Sequence, residues 1–282
     1  MRACPIAIFR LTLAGLLLLT LSCATTGPGG KKSFILVSDE QEMSLGKSVS
    51  EEVLKKEKPL PDSLWQAYLT QVGQRIVAVS DRKSLPFHFT VLENDQVNAF
   101  ATPGGYLFFY TGILRMMDSE DELAAVMAHE ISHVVARHSV KTIQAYYGGA
   151  IGLSLLLGEQ SNKLAGEVTG LVFSLALQGY GRSNENEADK FGLYYMTQAG
   201  YNPNAMTTMF EKLSAMTGEQ KRGFFENLTA SHPDTQDRIS KIKAQIAADP
   251  PEYTKRPIVK KHYEDMKKRL PPPASDTTKI GK

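Results

Sequence analysis

The chain has 282 residues, 42% of them hydrophobic and 22% charged, with 32 Lys+Arg against 30 Asp+Glu. A charge balance this close to neutral argues against a nucleic-acid-binding surface, and the apolar fraction suits a chain with its own core rather than a disordered one. The two cysteines, Cys4 and Cys23, both lie near the N-terminus, which excludes an internal disulfide framework.

Met1, Arg2 and Arg10, the apolar run 11–21 and Ser22-Cys23 have the layout of a signal peptide over 1–22. The apolar run is short against a bilayer core of about 30 Å, which disfavours the alternative of an uncleaved anchor. Cys23 resembles the lipidated cysteine of bacterial lipoproteins, although Thr20 and Leu21 stand where Leu and a small residue are more usual. Ordinary signal cleavage after Ala24 is the competing reading. Loss of Arg2 and Arg10 with the signal leaves thirty basic against thirty acidic residues. Ala24 stands where lipoproteins kept at an inner membrane commonly carry Asp. By that resemblance the location is exported and periplasmic, with a lipid anchor to the outer membrane, and the balanced charge implies no nucleic-acid partner. Residues 23–33, rich in Gly, Thr and Lys, read as a flexible tether, 34–248 as one domain, and 249–282 as a tail.

Ser38 with Gln41 forms a capping box that opens a helix to about residue 56, and Leu64, Tyr68, Val72 and Ile76 recur every four residues through a second helix over 63–79. Phe87, Phe89 and Val91 alternate with His88 and Thr90, the pattern of a half-buried strand. Pro103-Gly104-Gly105 is a turn, and Tyr106-Leu107-Phe108-Phe109-Tyr110 has strand composition.

The stretch from Asp118 to His133 reads as one helix with a marked start, because Ser119 and Glu122 make a capping box and acidic residues gather at the positive end of the dipole. His129 and His133 then lie about 40° apart in azimuth and one turn apart in height, so both imidazoles project toward a common point. Glu130 lies about 100° round from His129, beside a metal held there, where a carboxylate can take a proton from an attacking water. This H-E-x-x-H pattern implies zinc. A continuous helix would carry His138 about 140° from His133, away from the metal, as a packing or hydrogen-bonding residue. From 146 to 181 the chain is apolar and glycine-rich, with Glu159, Lys163 and Glu167 its charges. Its runs are too short to span a membrane, and it reads either as a buried helical hairpin or as a partly exposed apolar flap.

Glu185 and Asp189 are again four apart on a predicted helix. A catalytic zinc takes three protein ligands, and Glu185 completes a His, His, Glu set, with Asp189 placed to accept the other ring N–H of His129. The helix ends at Gly200, and Asn202-Pro203 opens another whose Met206, Met209, Phe210, Leu213 and Met216 form an apolar stripe. Ser231-His232-Pro233 opens a last helix to about residue 246. His232 is read either as a cap residue or as a group facing the zinc, there as a fourth ligand or an oxyanion donor. Residues 249–282 hold six of the fourteen prolines and nine Lys+Arg against five Asp+Glu, the composition of a solvated tail.

The run from Val97 to Tyr106, Gly112-Ile113-Leu114, the helix from His129 to His138, Glu185 with Asp189, and Ser231-His232-Pro233 with Arg238 together resemble the gluzincin peptidases related to HtpX, Oma and the CAAX prenyl protease, peptidase family M forty-eight. The resemblance covers about residues 40 to 245. It implies a mainly α fold with a small β-sheet (α+β), one Zn2+ per chain on His129, His133 and Glu185, Glu130 as catalytic base, and endopeptidase activity. In such enzymes an exposed strand edge beside the metal pairs with the substrate backbone, a role that falls here on Gly105, Tyr106, Leu107 and Phe108. The alternative for that strand is a buried central position. The expected substrates are unfolded or misassembled envelope proteins. A zinc-stabilised chaperone or assembly factor is the alternative from another class, and a hydrolase of non-peptide amides is disfavoured.

Overall fold

The structure, a computed structural model, describes residues 23–25, 27, 30–148, 162–218 and 235–273. The signal segment 1–22, the apolar run 150–157 and His232 lie outside the described residues. Strands β1 (Cys23–Thr25) and β2 (Lys32–Phe34) pair antiparallel, so the Gly- and Lys-rich segment expected as an open tether folds back on itself. Helices α1 (Asp39–Lys56) and α2 (Ser63–Val77) follow. Each starts on a side chain that satisfies orphan amides: Ser38 and Gln41 exchange bonds reciprocally, and the Asp62 carboxylate accepts from the Leu64 and Trp65 amides.

Strands β3 (His88–Leu92), β4 (Ala99–Thr102) and β5 (Tyr106–Tyr110) form a sheet in the order β3-β5-β4, with β3 parallel and β4 antiparallel to β5. This corrects the expectation that Gly105, Tyr106, Leu107 and Phe108 offer a free edge. With a strand on each side, β5 has no free row of backbone groups to pair with a substrate. Its uniformly apolar composition has another cause. Leu107 and Phe109 enter one core cluster while Phe108 and Tyr110 enter another, so both faces are buried. The outer side of β3 is met by the chain at 58–60, where Leu60 N donates to Val91 O and Glu93 N to Lys58 O. Among the described residues no strand pairs with the outer edge of β4.

After β5 come helices α3 (Thr111–Met116), α4 (Glu120–Val135), α5 (His138–Tyr147), α6 (Asn162–Gln178), α7 (Arg182–Gln198), α8 (Asn204–Gly218), α9 (Thr235–Ala248) and α10 (Lys261–Lys267). The fold is thus mostly helical with a small sheet, and α4, buried along nearly its whole length, runs through its centre. The acidic start of α4 does more than complement the helix dipole. Asp121 accepts from the Asn202 and Val259 amides, Glu120 accepts from the Tyr68 and Tyr201 hydroxyls, and Glu122 reaches the Asp118 amide and Lys212. Ser119 accepts from Glu122 N, but Glu122 answers one residue earlier than a capping box requires.

The apolar stretch before α7 is represented by α6, whose Val168 and Val172 cluster with Val49, Val140 and Ile143 from α1 and α5. No helix among the described residues is long and apolar enough to cross a membrane. The C-terminal segment departs from the solvated tail its composition suggests. Tyr263 is fully buried and donates to Leu114 O, and the single tryptophan, Trp65, donates its indole N–H to Met266 O. Charged residues outnumber these anchors in sequence, which masks them as a packing signal.

A buried ion cluster joins α1 to the far end of α4. The Glu42 carboxylate, 1% exposed, receives Arg82 at 3.0 Å and Arg137 at 2.8 Å, and also the Gly104 amide. Glu42→Ala would remove the buried anion the two guanidinium groups share and leave them only the exposed Asp39 carboxylate, which also meets both. Removing one member of a buried ion group costs about 3–5 kcal/mol. A urea unfolding series is expected to show a loss of that size, whereas a shift below about 0.5 kcal/mol, the range of ordinary surface changes, would mean that the cluster is solvated.

Candidate metal centre

Helix α4 carries His129 and His133, and Glu185 stands in the first turn of α7, which packs directly along α4. The close crossing depends on Gly192. A Cβ placed there would sit 3.0 Å from the His129 amide nitrogen and 3.1 Å from its Cα, closer than the two backbones allow without a shift. Gly192→Val is therefore expected to separate the two helices and lower zinc occupancy in metal analysis, and full occupancy would show that the crossing tolerates the shift.

His129 Nε2 and His133 Nε2 lie 3.1 Å apart, and Glu185 oxygens lie 3.5 Å from each. All three residues are buried, and their candidate ligand atoms fall within 4.8 Å of one another. Zinc–nitrogen and zinc–oxygen bonds of about 2.0–2.2 Å in a tetrahedron place ligand atoms about 3.3–3.6 Å apart, so this donor set fits zinc in both chemistry and spacing.

The groups behind the triangle orient it. Asp189 Oδ1 lies 2.9 Å from His129 Nδ1, and Arg238 grips the Asp189 carboxylate through two bonds of 2.7 Å while its third nitrogen stands 3.2 Å from Glu185. The guanidinium also lies over the Phe210 ring. Burial works against charge on these groups, yet Arg238 holds the Asp189 carboxyl below its ordinary range, and Asp189 with Glu185 lifts His129 to about 9.

Glu130, 3% exposed, lines an apolar cleft with His129, Ala99 of β4, Val126, Met209, Phe210 and Leu213. Tyr106, Leu107 and Phe108 do not line this cleft, whereas the first residue of β4 does.

Sequence reasoning gave no role to Arg238, Tyr180 or Glu187. The Tyr180 ring stacks on His133 with centroids 4.4 Å apart, and its hydroxyl shares a hydrogen bond with Ser139. Arg238 has a legible signal in retrospect, since a lone arginine near a helix start can neutralise the excess of carboxylates that the motif gathers. His138 departs from the continuous-helix expectation. The chain breaks at Arg137, whose φ of 57° is left-handed, and α5 restarts in a new direction. His138 is thereby brought to the back of His133.

Residues 63–246 match the model of Peptidase family M48. The chain belongs to this family. The His129, His133 and Glu185 cluster supplies a donor set compatible with the zinc on which this family depends. The mitochondrial metalloendopeptidase OMA1 of Schizosaccharomyces pombe is 37% identical over 177 residues, covering 62% of this chain and 51% of that protein. The beta-barrel assembly-enhancing protease of Yersinia pestis is 29% identical over 248 residues, covering 79% and 49%. The metalloprotease YcaL of Escherichia coli is 26% identical over 166 residues, covering 58% and 63%. The chain spans about half the length of the first two relatives.

Proposed function

We propose that this chain is a zinc endopeptidase of the bacterial envelope that cleaves unfolded or misassembled exported proteins. The observation that carries the reading is a buried His, His, Glu triangle at zinc spacing with Glu130 beside it in an apolar cleft. In this reading His129, His133 and Glu185 hold the metal. When bound, zinc supplies Lewis acidity, lowering the pKa of a water to about 7 and polarising the scissile carbonyl.

Every other step falls to the chain's own side chains. Glu130 takes a proton from the attacking water and passes it to the leaving amine. Asp189 holds the ring of His129, and Arg238 keeps Asp189 in place and charged. The outer edge of β4, which replaces β5 in this role, pairs with an extended substrate backbone, and the cleft formed by Val126, Phe210 and Leu213 receives an apolar side chain. Backbone pairing reads shape more than sequence, which suits unfolded substrates. The names of the Yersinia relative and OMA1 support proteolysis, and the former supports an envelope setting.

Acylation of Cys23 would hold the domain at the outer membrane, facing the periplasm. Intact mass of membrane-extracted protein is expected to show an acylated N-terminal Cys23, while a chain starting at Thr25 without acyl mass would mean ordinary cleavage. For the activity, unfolded outer-membrane protein or casein is incubated with the enzyme, with and without a chelator. Fragmentation that stops on chelation and returns with zinc is expected. Binding and retention without cleavage would favour the chaperone reading instead.

A further inference from the structure

We propose that His138 and Glu187 act as a positioning pair that fixes the ring of His133 from the side opposite the metal, an inference that rests on the reading of His133 as a zinc ligand. His133 Nδ1 lies 2.9 Å from His138 Nδ1, and His138 Nε2 lies 3.0 Å from Glu187 Oε2. His138 is fully buried and the Glu187 side chain is 14% exposed at the outer end of the row, where Lys31 also meets it.

The polarity of this row follows from its end. A carboxylate only accepts, so the His138 proton sits on Nε2 and points to Glu187. His138 Nδ1 is then a lone pair, and one proton must lie between the two Nδ1 atoms, so His133 donates it. That leaves the lone pair of His133 on Nε2, the nitrogen that faces His129 Nε2 and Glu185. The reverse polarity would place a proton where the metal binds. Ligating histidines commonly give their second N–H to a carboxylate or carbonyl, and here another imidazole, oriented by Glu187, takes that place. For His129 the same need is met directly by Asp189.

The backbone independently marks the arrangement. Arg137 is the one non-glycine with positive φ among the described residues. A continuous helix would turn His138 about 140° away from His133, and the left-handed residue between them is what returns it. Strained backbone of this kind persists where the surroundings fix it and is concentrated at functional sites. Tyr180 stacked on the face of His133 completes the restraint on the ring.

The test uses the full chain, with zinc affinity measured by competition against a fluorescent chelator and the ligand field read from the absorption bands of the cobalt-substituted protein. His138→Phe keeps a ring but no acceptor and is expected to bind zinc about 10- to 100-fold more weakly, with shifted cobalt bands. His138→Asn places an amide oxygen where Nδ1 accepts from His133, while its N–H stops short of Glu187, and it is expected to recover part of that loss. Glu187→Ala, at the more accessible end, is expected to weaken zinc in the same direction while the metal-free protein melts as the wild type does. If His138→Phe fails to fold, Glu187→Ala decides. Wild-type affinity and unshifted cobalt bands in both variants would overturn the positioning role. Failure of the underlying reading looks different: His133→Ala itself would then bind zinc as the wild type does.

Discussion

Glu130→Gln is expected to keep zinc and fold while losing at least about 10²-fold in peptide hydrolysis, the low end for removal of a general base. The substitution is nearly isosteric, and Glu130 is not one of the three residues whose ligand atoms converge. An amide cannot take the proton from the attacking water, and the neighbouring carboxylates among the described residues are engaged elsewhere. Asp189 is held by Arg238 and His129, and Glu185 faces both imidazoles. The loss should therefore fall on kcat rather than KM, since a near-isosteric change leaves the β4 edge and the shape of the cleft proposed to bind substrate in place. Retention of rate would sink the assignment of Glu130 as base.

Glu185→Ala is expected to abolish zinc binding altogether, a larger effect than any change at the substrate cleft. The carboxylate is fully buried, stands 3.5 Å from both ligand nitrogens and lies 3.2 Å from Arg238. Truncation removes one of three protein ligands and leaves the Arg238 charge nearer the metal position with less to offset it. Two imidazoles beside a guanidinium offset by Asp189 alone make a poor cation site. Metal analysis after dialysis should find zinc in the wild type and none in the variant. Full occupancy in Glu185→Ala would remove this residue from the ligand set.

The parts of this account that the sequence makes legible are those governed by local spacing. Two histidines four apart on a capped helix, and a second acidic pair on another helix, state the site before any fold is known. The helices over 38–56 and 63–79 likewise follow from caps and a four-residue apolar repeat, and they correspond to Asp39–Lys56 and Ser63–Val77. What local spacing does not carry is long-range pairing. Whether Tyr106–Tyr110 is an edge or a centre depends on where His88–Leu92 docks, and a strand apolar at every position fits either until both faces are assigned. The break at Arg137 is hidden for a different reason, since no glycine or proline marks it and tertiary contacts hold the residue left-handed. Arg137 ends in the Glu42 cluster and on Val37 O, both supplied by chain about a hundred residues earlier. In the C-terminal segment, Tyr263 and Met266 are anchors three residues apart within a run dominated by charge and proline, where composition outweighs two buried side chains.

The central claim is a zinc ion held by two imidazoles and a carboxylate, and zinc K-edge X-ray absorption on the purified protein tests it most directly. The account predicts zinc in a shell of nitrogen and oxygen at about 2.0–2.2 Å with the outer-ring scattering of two imidazoles. Absence of zinc, or a sulfur shell at about 2.3 Å, would contradict it.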